Sequence, residues 1–303
     1  TDVGHSVAIG YQALYSISDG SMFSGTGNTY GHIAIGYNSQ KYFQGIDQNG
    51  APNIAMGVFS LENNVQAGAN IAIGNGALRY LGKEMALSNY DGGYGNVAIG
   101  DEALKGGHTG SWNTSDTFRG DYNTAVGWKS MIALKSFSAD KNTALGYQAG
   151  DNITTGSNNT CIGGGSDASS ATVSNEITLG DTNISTLRCN DTSISSLSDG
   201  RDKTEIVDLP AGLEFLNTLR PVKFKWQTRD GNGKDGLTRA GFIAQDLQSA
   251  QTNHNYLDLV MDNNPDKLEA KQEHLIPVLV QAIKDLSAKN DALEARIKTL
   301  EES

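Results

Sequence analysis

Val97-Ala98-Ile99-Gly100 is one copy of a four-residue word that recurs through the first half of the chain. Close copies begin at residues 7, 33, 54, 71, 124 and 143, and two degenerate copies end at Gly163 and Gly180. The β-branched residues of a copy are two apart and share one face of a strand, whereas the small alanine on the other face leaves room for a close neighbour. The closing glycine permits a positive φ or a close backbone approach. Each copy is therefore predicted to be a short β-strand.

The spacing of the copies predicts a stacked array. The nine closing glycines lie 17 to 27 residues apart, which fits a basic turn of about 17 residues with insertions in four intervals. A single copy cannot bury its apolar face, so the copies must stack on one another. We predict that residues 1–180 form a rod of stacked parallel β-coils, a β-solenoid-like repeat region.

The longer insertions are rich in aromatic and polar side chains. They span residues 16–31, 38–53, 79–96 and 105–122, the last of which contains His108, Trp112 and Phe118. Loops that project from a rigid rod are suited to binding a glycan or a protein on a host surface. The alternative is that they cover neighbouring coils or fill grooves between chains, and the sequence leaves both interpretations open.

Composition excludes several classes of function. The chain has a net charge of −11, and both residues 1–197 and residues 198–303 are acidic. Nucleic-acid binding, by contrast, relies on clustered lysine and arginine. No apolar run approaches the roughly 18 residues of a membrane span, and Thr1 does not open a signal peptide. We predict no nucleic-acid partner and no membrane insertion, and we expect the chain to begin inside a longer protein.

The sequence predicts no cofactor and no metal site. The stretch Asp230–Gly236 spaces Asp and Asn as a calcium loop does, but it lacks the terminal bidentate acid and is better explained as a hairpin turn. Cys161 and Cys189 form neither a CxxC pair nor a disulfide framework, so both are expected to be small buried apolar residues.

Residue 198 is a boundary in composition. The 197 residues before it hold 30 of the 36 glycines but only 25 of the 57 charged side chains. Residues 181–197 place isolated Ile and Leu in a Ser/Thr/Asn background, which predicts a thin β-stalk. Further on, helical spacing at Leu213–Leu219, a strand from Val222 to Trp226 and a second strand over Gly241–Ala244 predict an α+β unit.

A heptad pattern begins near Glu273 and continues to the end of the chain. One heptad position holds isoleucine or asparagine and the position three residues later holds leucine: Ile276, Leu279, Ile283, Leu286, Asn290, Leu293, Ile297 and Leu300. Such a seam predicts a terminal coiled coil over about residues 273–303, and its composition by itself leans toward a dimer. The alternative is a helix that packs only on its own domain.

The boundary itself, Ser198-Asp199-Gly200-Arg201-Asp202-Lys203, crowds a hydroxyl, two carboxylates and two cations into six residues. A serine needs a base to act as a nucleophile, and no histidine lies between Ser198 and His254. Lys203 is then the nearest candidate base, and Arg201 could lower its pKa if the two cations lay close together. Asp199 could orient the backbone or neutralise Arg201. The alternative is an ordinary charged linker.

Two resemblances extend these predictions. The words followed by Ala-Leu, as at Tyr11–Leu14 and Asp101–Leu104, resemble the head repeats of trimeric autotransporter adhesins and repeats of bacteriophage tail fibres, which implies a trimer. Four later motifs, listed in order, resemble the C-terminal intramolecular chaperone, a self-cleaving serine peptidase of phage tailspikes, endosialidases and tail fibres: Ser198-Asp199-x-Arg201-x-Lys203, Leu219-Arg220-Pro221-Val222-x-Phe224-x-Trp226, Gly241–Asp246 and Leu275-Ile276-Pro277.

The second resemblance covers residues 198–303 and implies the function. Ser198 would be the nucleophile and Lys203 its base, and cleavage would fall between Leu197 and Ser198 after a homotrimer has folded. Asp199 and Arg201 are candidate supporting residues on the chemical grounds given above. It implies a virion tail fibre or spike whose cleaved chaperone domain is released in the host cytoplasm. Arg239-Ala240 departs from the aromatic or histidine expected before Gly241. The alternatives are a bacterial trimeric surface adhesin with a non-cleaving clamp, and the tail end of a glycan-degrading spike.

Overall fold

The computed structural model divides the chain into two units, Thr1–Ile184 and Ser185–Ser303. It describes residues 6–15, 31–43, 51–64, 67–81, 93–106, 118, 120–136, 138–191, 194–227 and 236–303. The predicted recognition loops lie mostly outside these residues, as do His108, Trp112 and most of the 230–236 loop.

Each predicted word in the first unit forms one strand of a single parallel sheet. The nine strands follow the order of the chain: β1 Val7–Ile9, β2 Ile33–Ile35, β3 Ile54–Met56, β4 Ile71–Ile73, β5 Val97–Ile99, β6 Thr124–Val126, β7 Thr143–Leu145, β8 Thr160–Ile162 and β9 Ile177–Leu179. The register is the same at every step, so that first, second and third residues pair with their equivalents. The solenoid-like stacking predicted from the spacing is confirmed.

The closing glycines are required by space as well as by conformation. Gly74 has a φ of +136°, and a Cβ built on it would lie 2.3 Å from the carbonyl oxygen of Gly100 on the next coil. The same close approach repeats from Gly36 to Gly57. Any larger residue would clash with a backbone that has no room to retreat, which explains why the glycine recurs.

The alanine face of the sheet forms the core of the unit. Ala72, Ala98 and Ala125 are fully buried, and the turns that follow contribute fully buried Leu78 and Leu104. The β-branched face points the other way and remains partly exposed in the single chain. At the third position of the strands, Ile35, Ile73 and Val126 are half-buried, whereas other residues there are exposed: Ile9, Met56, Ile99, Leu145, Ile162 and Leu179.

A column of buried asparagines runs beside the sheet, one immediately before each of six successive strands. The Asn96 Oδ1 accepts a hydrogen bond from the backbone N–H of Asn123 at 2.9 Å, and Asn123 does the same for Asn142. The Asn123 side-chain amide donates to the carbonyl oxygen of Ala139. We call this column the asparagine spine; its members are Asn53, Asn70, Asn96, Asn123, Asn142 and Asn159. The spine satisfies backbone groups that would otherwise be buried without partners.

The spine was missed in the sequence, although its signal was there. The residue before each word is asparagine in six coils and His32 in the second coil. The four-residue word begins at its first apolar residue and therefore leaves out the asparagine that precedes it.

The described residues of the second unit form three α-helices and two small antiparallel strand pairs. The elements are α1 Leu213–Leu216, β10 Val222–Lys225, β11 Thr238–Gly241, α2 Ala244–Ala250, β12 Val260–Met261, β13 Glu269–Ala270 and α3 Leu275–Glu301. Their core consists of Ala211, Phe215, Leu247, Leu257, Leu259, Val260, Leu275 and Val278. The strand predicted over Gly241–Ala244 is wrong: β11 ends at Gly241 because it pairs with β10, and Ala244 already begins α2.

Helix α3 anchors α1 through a carboxylate. The Asp285 Oδ2 accepts the backbone N–H of Leu213 at 2.9 Å, and its Oδ1 accepts the side-chain amide of Gln281. These hydrogen bonds, first that from Leu213, lower the pKa of Asp285 below its ordinary value. The residues of α3 that pack inside the unit are Leu275, Val278 and Ala282, which lie on a different face from the heptad seam.

Three sequence expectations need correction or stay open. Cys161 is buried as expected, and burial raises its pKa to about 11, but Cys189 is exposed because the segment around it has no core to enter. Phe118 is not an exposed recognition residue, since it is fully buried and bridges to Leu81. The described residues between Leu179 and Gly200 form no strand, and the stalk, which would need partner chains to pair with, stays a prediction.

His32 makes the first unit sensitive to acid. Its Nδ1 accepts the Asn53 backbone N–H at 3.1 Å and the Gln40 amide at 3.2 Å, which requires a neutral ring. Burial lowers the pKa of His32 from 6.5 to about 4. The unfolded ring takes up a proton near pH 6.5 and the folded ring only near 4. The stability that depends on the neutral His32 ring is therefore fully present above pH 6.5 and is lost as the pH falls toward 4.

We therefore expect the variant His32→Asn to lose this acid sensitivity, because asparagine supplies the same acceptor in the following coils without titrating. Between pH 8 and pH 5 the wild type should lose about 2 kcal/mol that the variant keeps. Urea unfolding followed by circular dichroism at both pH values measures the difference. Equal pH dependence in the two proteins would contradict the assignment.

Candidate active site

The six-residue boundary stretch folds into a short turn on the second unit. Leu197 and Ser198 lie in irregular backbone, Asp199 precedes a 3-10 turn over Gly200–Asp202, and Lys203 leaves it in an extended conformation. None of the residues of the turn is buried. Its shape is therefore set by local hydrogen bonds rather than by packing.

The turn brings the candidate nucleophile and base into contact. The Lys203 Nζ donates a hydrogen bond to the Ser198 Oγ at 2.5 Å. Lys203 forms no salt bridge with a carboxylate among the described residues, although Asp199 and Asp202 are close in sequence. A proton could pass directly from the hydroxyl to a neutral lysine in this geometry.

Asp199 is bound to the turn and to Arg201. Its Oδ1 accepts the Arg201 backbone N–H at 2.9 Å, and its two carboxylate oxygens accept the guanidinium Nε at 3.0 and 3.1 Å and Nη2 at 2.5 Å. The guanidinium, and then the backbone N–H, lower the pKa of Asp199, and the carboxylate raises the pKa of Arg201. Asp199 therefore both orients the backbone of the turn and neutralises Arg201, the two roles that the sequence suggested for it.

This pairing changes the expected role of Arg201. The sequence suggested a free cation that disfavours the charged form of Lys203. In the structure the guanidinium is held against the carboxylate, so the pair as a whole acts on Lys203 as a dipole and not as a full positive charge. Burial of Lys203 is then the more effective way to favour its neutral form.

The bond to be cut is open to solvent in the single chain. Leu197 is fully exposed, and among the described residues no donor is hydrogen-bonded to its carbonyl oxygen. Ile194, Ile206 and Val207 on either side are also exposed. Hydrogen-bond donors to the developing oxyanion accelerate acyl transfer by about 10²- to 10³-fold. The described residues of the single chain therefore provide the nucleophile–base contact but not these donors.

Two of the motifs in the second resemblance meet in the structure. The Arg220 guanidinium donates to the Asp246 Oδ2, through Nε at 2.9 Å and Nη2 at 2.6 Å. The ion pair joins the start of β10 to the first turn of α2, where a carboxylate is favoured by the helix dipole. Arg239, which departs from the expected pattern, lies on β11 opposite Phe224. The sequence spacing of 26 residues gave no sign of the Arg220–Asp246 pair.

Neither a metal centre nor a membrane helix was found in the described part of the chain. No group of three or more His, Cys, Asp and Glu side chains is placed there to hold a metal ion. None of the described helices combines the length and apolar character needed to cross a bilayer.

Comparison with known families finds one match, which lies in the second unit. Residues 198–256 match a peptidase family described as the chaperone of endosialidase. The match begins at Ser198, the candidate nucleophile, and covers α1, β10, β11 and α2. No curated protein and no solved structure matches the chain. The C-terminal resemblance seen in the sequence is thus confirmed over the matched segment, whereas the resemblance of the repeats to known proteins has no such support.

Proposed function

We propose that residues 198–303 are an intramolecular chaperone that aligns three copies of the chain and then separates itself by cutting between Leu197 and Ser198. The observation that carries this proposal is the contact of the Lys203 Nζ with the Ser198 Oγ. It occurs at the residue where the match to the chaperone of endosialidase begins.

The reaction needs no second substrate except water. The Ser198 Oγ attacks the carbonyl carbon of Leu197 while Lys203 takes the hydroxyl proton. The C–N bond then breaks, the proton passes to the Ser198 nitrogen, and an ester joins the two residues. Water hydrolyses the ester, leaving a carboxylate on Leu197 and restoring the serine hydroxyl. Because nucleophile and carbonyl are neighbours in the chain, their effective molarity is high.

Assembly of the trimer is the step that switches the reaction on. An exposed lysine is neutral in only about one molecule in 2,500 at pH 7. Covering the apolar side chains around the turn, such as Ile194 and Val207, would remove water from Lys203 and favour its neutral form. Neighbouring chains would also supply donors for the oxyanion at Leu197. Cleavage would then follow folding rather than precede it.

The heptad seam of α3 supports association between copies. Its apolar members, Ile276, Leu279, Ile283, Leu286, Leu293, Ile297 and Leu300, are 42% to 67% exposed in the single chain. Asn290 lies in the same row and is also exposed. Helices with such a stripe are marginal alone and gain their stability by packing. Three parallel copies of this seam form the proposed coiled coil.

The first unit is then the shaft of a homotrimeric phage tail fibre or spike. Its exposed apolar face, with Ile9, Leu145 and Leu179, is a surface of the kind that soluble single chains rarely leave uncovered. The insertions between coils are proposed to bind a host-surface glycan or protein. After cleavage the shaft remains in the virion and the chaperone domain is released in the host cytoplasm.

The cleavage proposal is tested by replacing the nucleophile and the base separately. We expect the wild type to yield fragments of 197 and 106 residues on a denaturing gel with intact mass, and Ser198→Ala and Lys203→Ala to yield one chain of 303. Both variants should still form trimers. A wild-type trimer that stays uncut would contradict the peptidase and favour a clamp that does not cleave.

The seam is tested by placing a charge on it. Leu286→Asp should reduce the trimer fraction strongly, because a carboxylate at this position would be buried between helices. Ala288→Asp introduces the same charge on the exposed far side of α3 and serves as the control. Sedimentation velocity measures both. Equal loss of trimer in the two variants, or no loss in Leu286→Asp, would refute the seam.

The chaperone role is tested by omission. A chain of residues 1–197 should fail to form the stable trimer that the full chain leaves behind after cleavage, because nothing would fix the register of its identical coils. Thermal unfolding and native mass of the two products decide the comparison. If residues 1–197 assemble unaided into the same trimer, the second unit is not a chaperone.

A further inference from the structure

We propose that Asp199 is a positioning residue for self-cleavage, and that Arg201 assists it by holding the Asp199 carboxylate in place. This inference rests on the proposed function and deepens it. Neither side chain touches the Leu197 carbonyl in the structure. Both act through the turn that carries Lys203.

The contact between nucleophile and base depends on a backbone reversal. Ser198 and Lys203 are five positions apart, and an extended chain would separate their Cα atoms by about 17 Å. That distance is beyond the reach of the two side chains. The 3-10 turn Gly200–Asp202 shortens it until the Lys203 Nζ lies 2.5 Å from the Ser198 Oγ. The pair exists only while the turn exists.

The turn has little to stabilise it besides Asp199. Its two backbone hydrogen bonds, from Asp202 N to Asp199 O and from Lys203 N to Gly200 O, are 3.2 and 3.3 Å long. None of its residues is buried, and short 3-10 turns have poor hydrogen-bond geometry. Gly200 adds to the entropy that must be lost when the turn forms.

Asp199 supplies the missing restraint as an N-cap. It has the extended φ and ψ of a capping residue, −66° and 130°, and its Oδ1 accepts the Arg201 backbone N–H, which the turn itself leaves without a partner. The Arg201 guanidinium then binds both carboxylate oxygens in a fork, which fixes the rotamer of Asp199. The guanidinium and the backbone N–H of Arg201 thus both bind the Asp199 carboxylate, and together they hold the turn in place.

An electrostatic role for Arg201 makes a different prediction. If Arg201 served to lower the pKa of Lys203, removing it would move the pH–rate profile to higher pH. If it only holds Asp199, the rate should fall equally at every pH. Asp199 is ionised throughout the range in which a lysine titrates, so its own titration does not enter the profile.

The test measures cleavage of the full-length chain after pulse-labelled cell-free translation. During a chase at several values from pH 6 to 10, a denaturing gel follows cutting and a native gel gives the amount of trimer, to which the rate is normalised. We expect Asp199→Ala to cut about tenfold more slowly than wild type. Asp199→Asn keeps the cap and should stay within about threefold of wild type. Arg201→Gln should be slowed up to about fivefold with an unchanged pH midpoint.

The control is Asp202→Asn, which removes a carboxylate from the same turn at a position with no side-chain contact among the described residues. It should cut at the wild-type rate. Wild-type rates in Asp199→Ala, or an equal loss in Asp199→Asn and Asp199→Ala, would overturn the cap. A raised pH midpoint in Arg201→Gln would overturn the holding role of Arg201. A wild-type chain that stays whole would remove the proposed function and this inference together, whereas a cut wild type with a fast Asp199→Ala would remove this inference alone.

Discussion

The first unit depends on one repeated interaction, the buried hydrogen bond that each spine asparagine makes with the next. Each rung joins a side-chain carboxamide to the backbone of the following coil, as in Asn96 to Asn123 and Asn123 to Asn142. Losing one rung would leave a buried backbone N–H without a partner, which costs about 1 to 3 kcal/mol. Together with the glycine column, the spine fixes the spacing and register of neighbouring coils within one chain.

That same regularity creates an assembly problem between chains. Because the coils repeat, their exposed apolar side chains, such as Ile9, Ile99 and Ile162, are alike, and three chains displaced by one coil would bury similar surfaces. A separate element that associates in only one register would solve this problem, and this is the role proposed for α3, which carries the single asparagine Asn290 in its seam. In this proposal, the composition boundary at residue 198 separates the residues that form the repeated sheet from those that would set the register between chains.

The sequence predicted the features that are local and missed those that arise from folding. Each of the nine words forms a strand because the word itself contains the alternating side chains and the closing glycine that a strand of this kind needs. The spine was missed through a register error of one residue, and β11 was misplaced because Phe242 and Ile243 look like strand residues yet lead into α2. Phe118 looked like a loop aromatic since burial is not visible in an insertion. The Ser198–Lys203 contact followed from a local motif, whereas Asp285 at α1 and the Arg220–Asp246 pair join distant segments.

The features that the Leu197–Ser198 site lacks in the single chain bear on when the proposed cleavage would occur. A single chain already holds the Lys203–Ser198 contact, so assembly does not need to build it. What the described residues of the single chain lack is shelter from water and a donor at the Leu197 carbonyl, and exposed apolar side chains, Leu197, Ile206 and Val207, lie near this bond in the sequence. Burying those side chains is favourable in itself, by about 25 cal/mol for each Å² of apolar surface. In the proposed mechanism, the burial that brings the chains together would also remove water from Lys203, so that cutting would follow assembly without a separate switch.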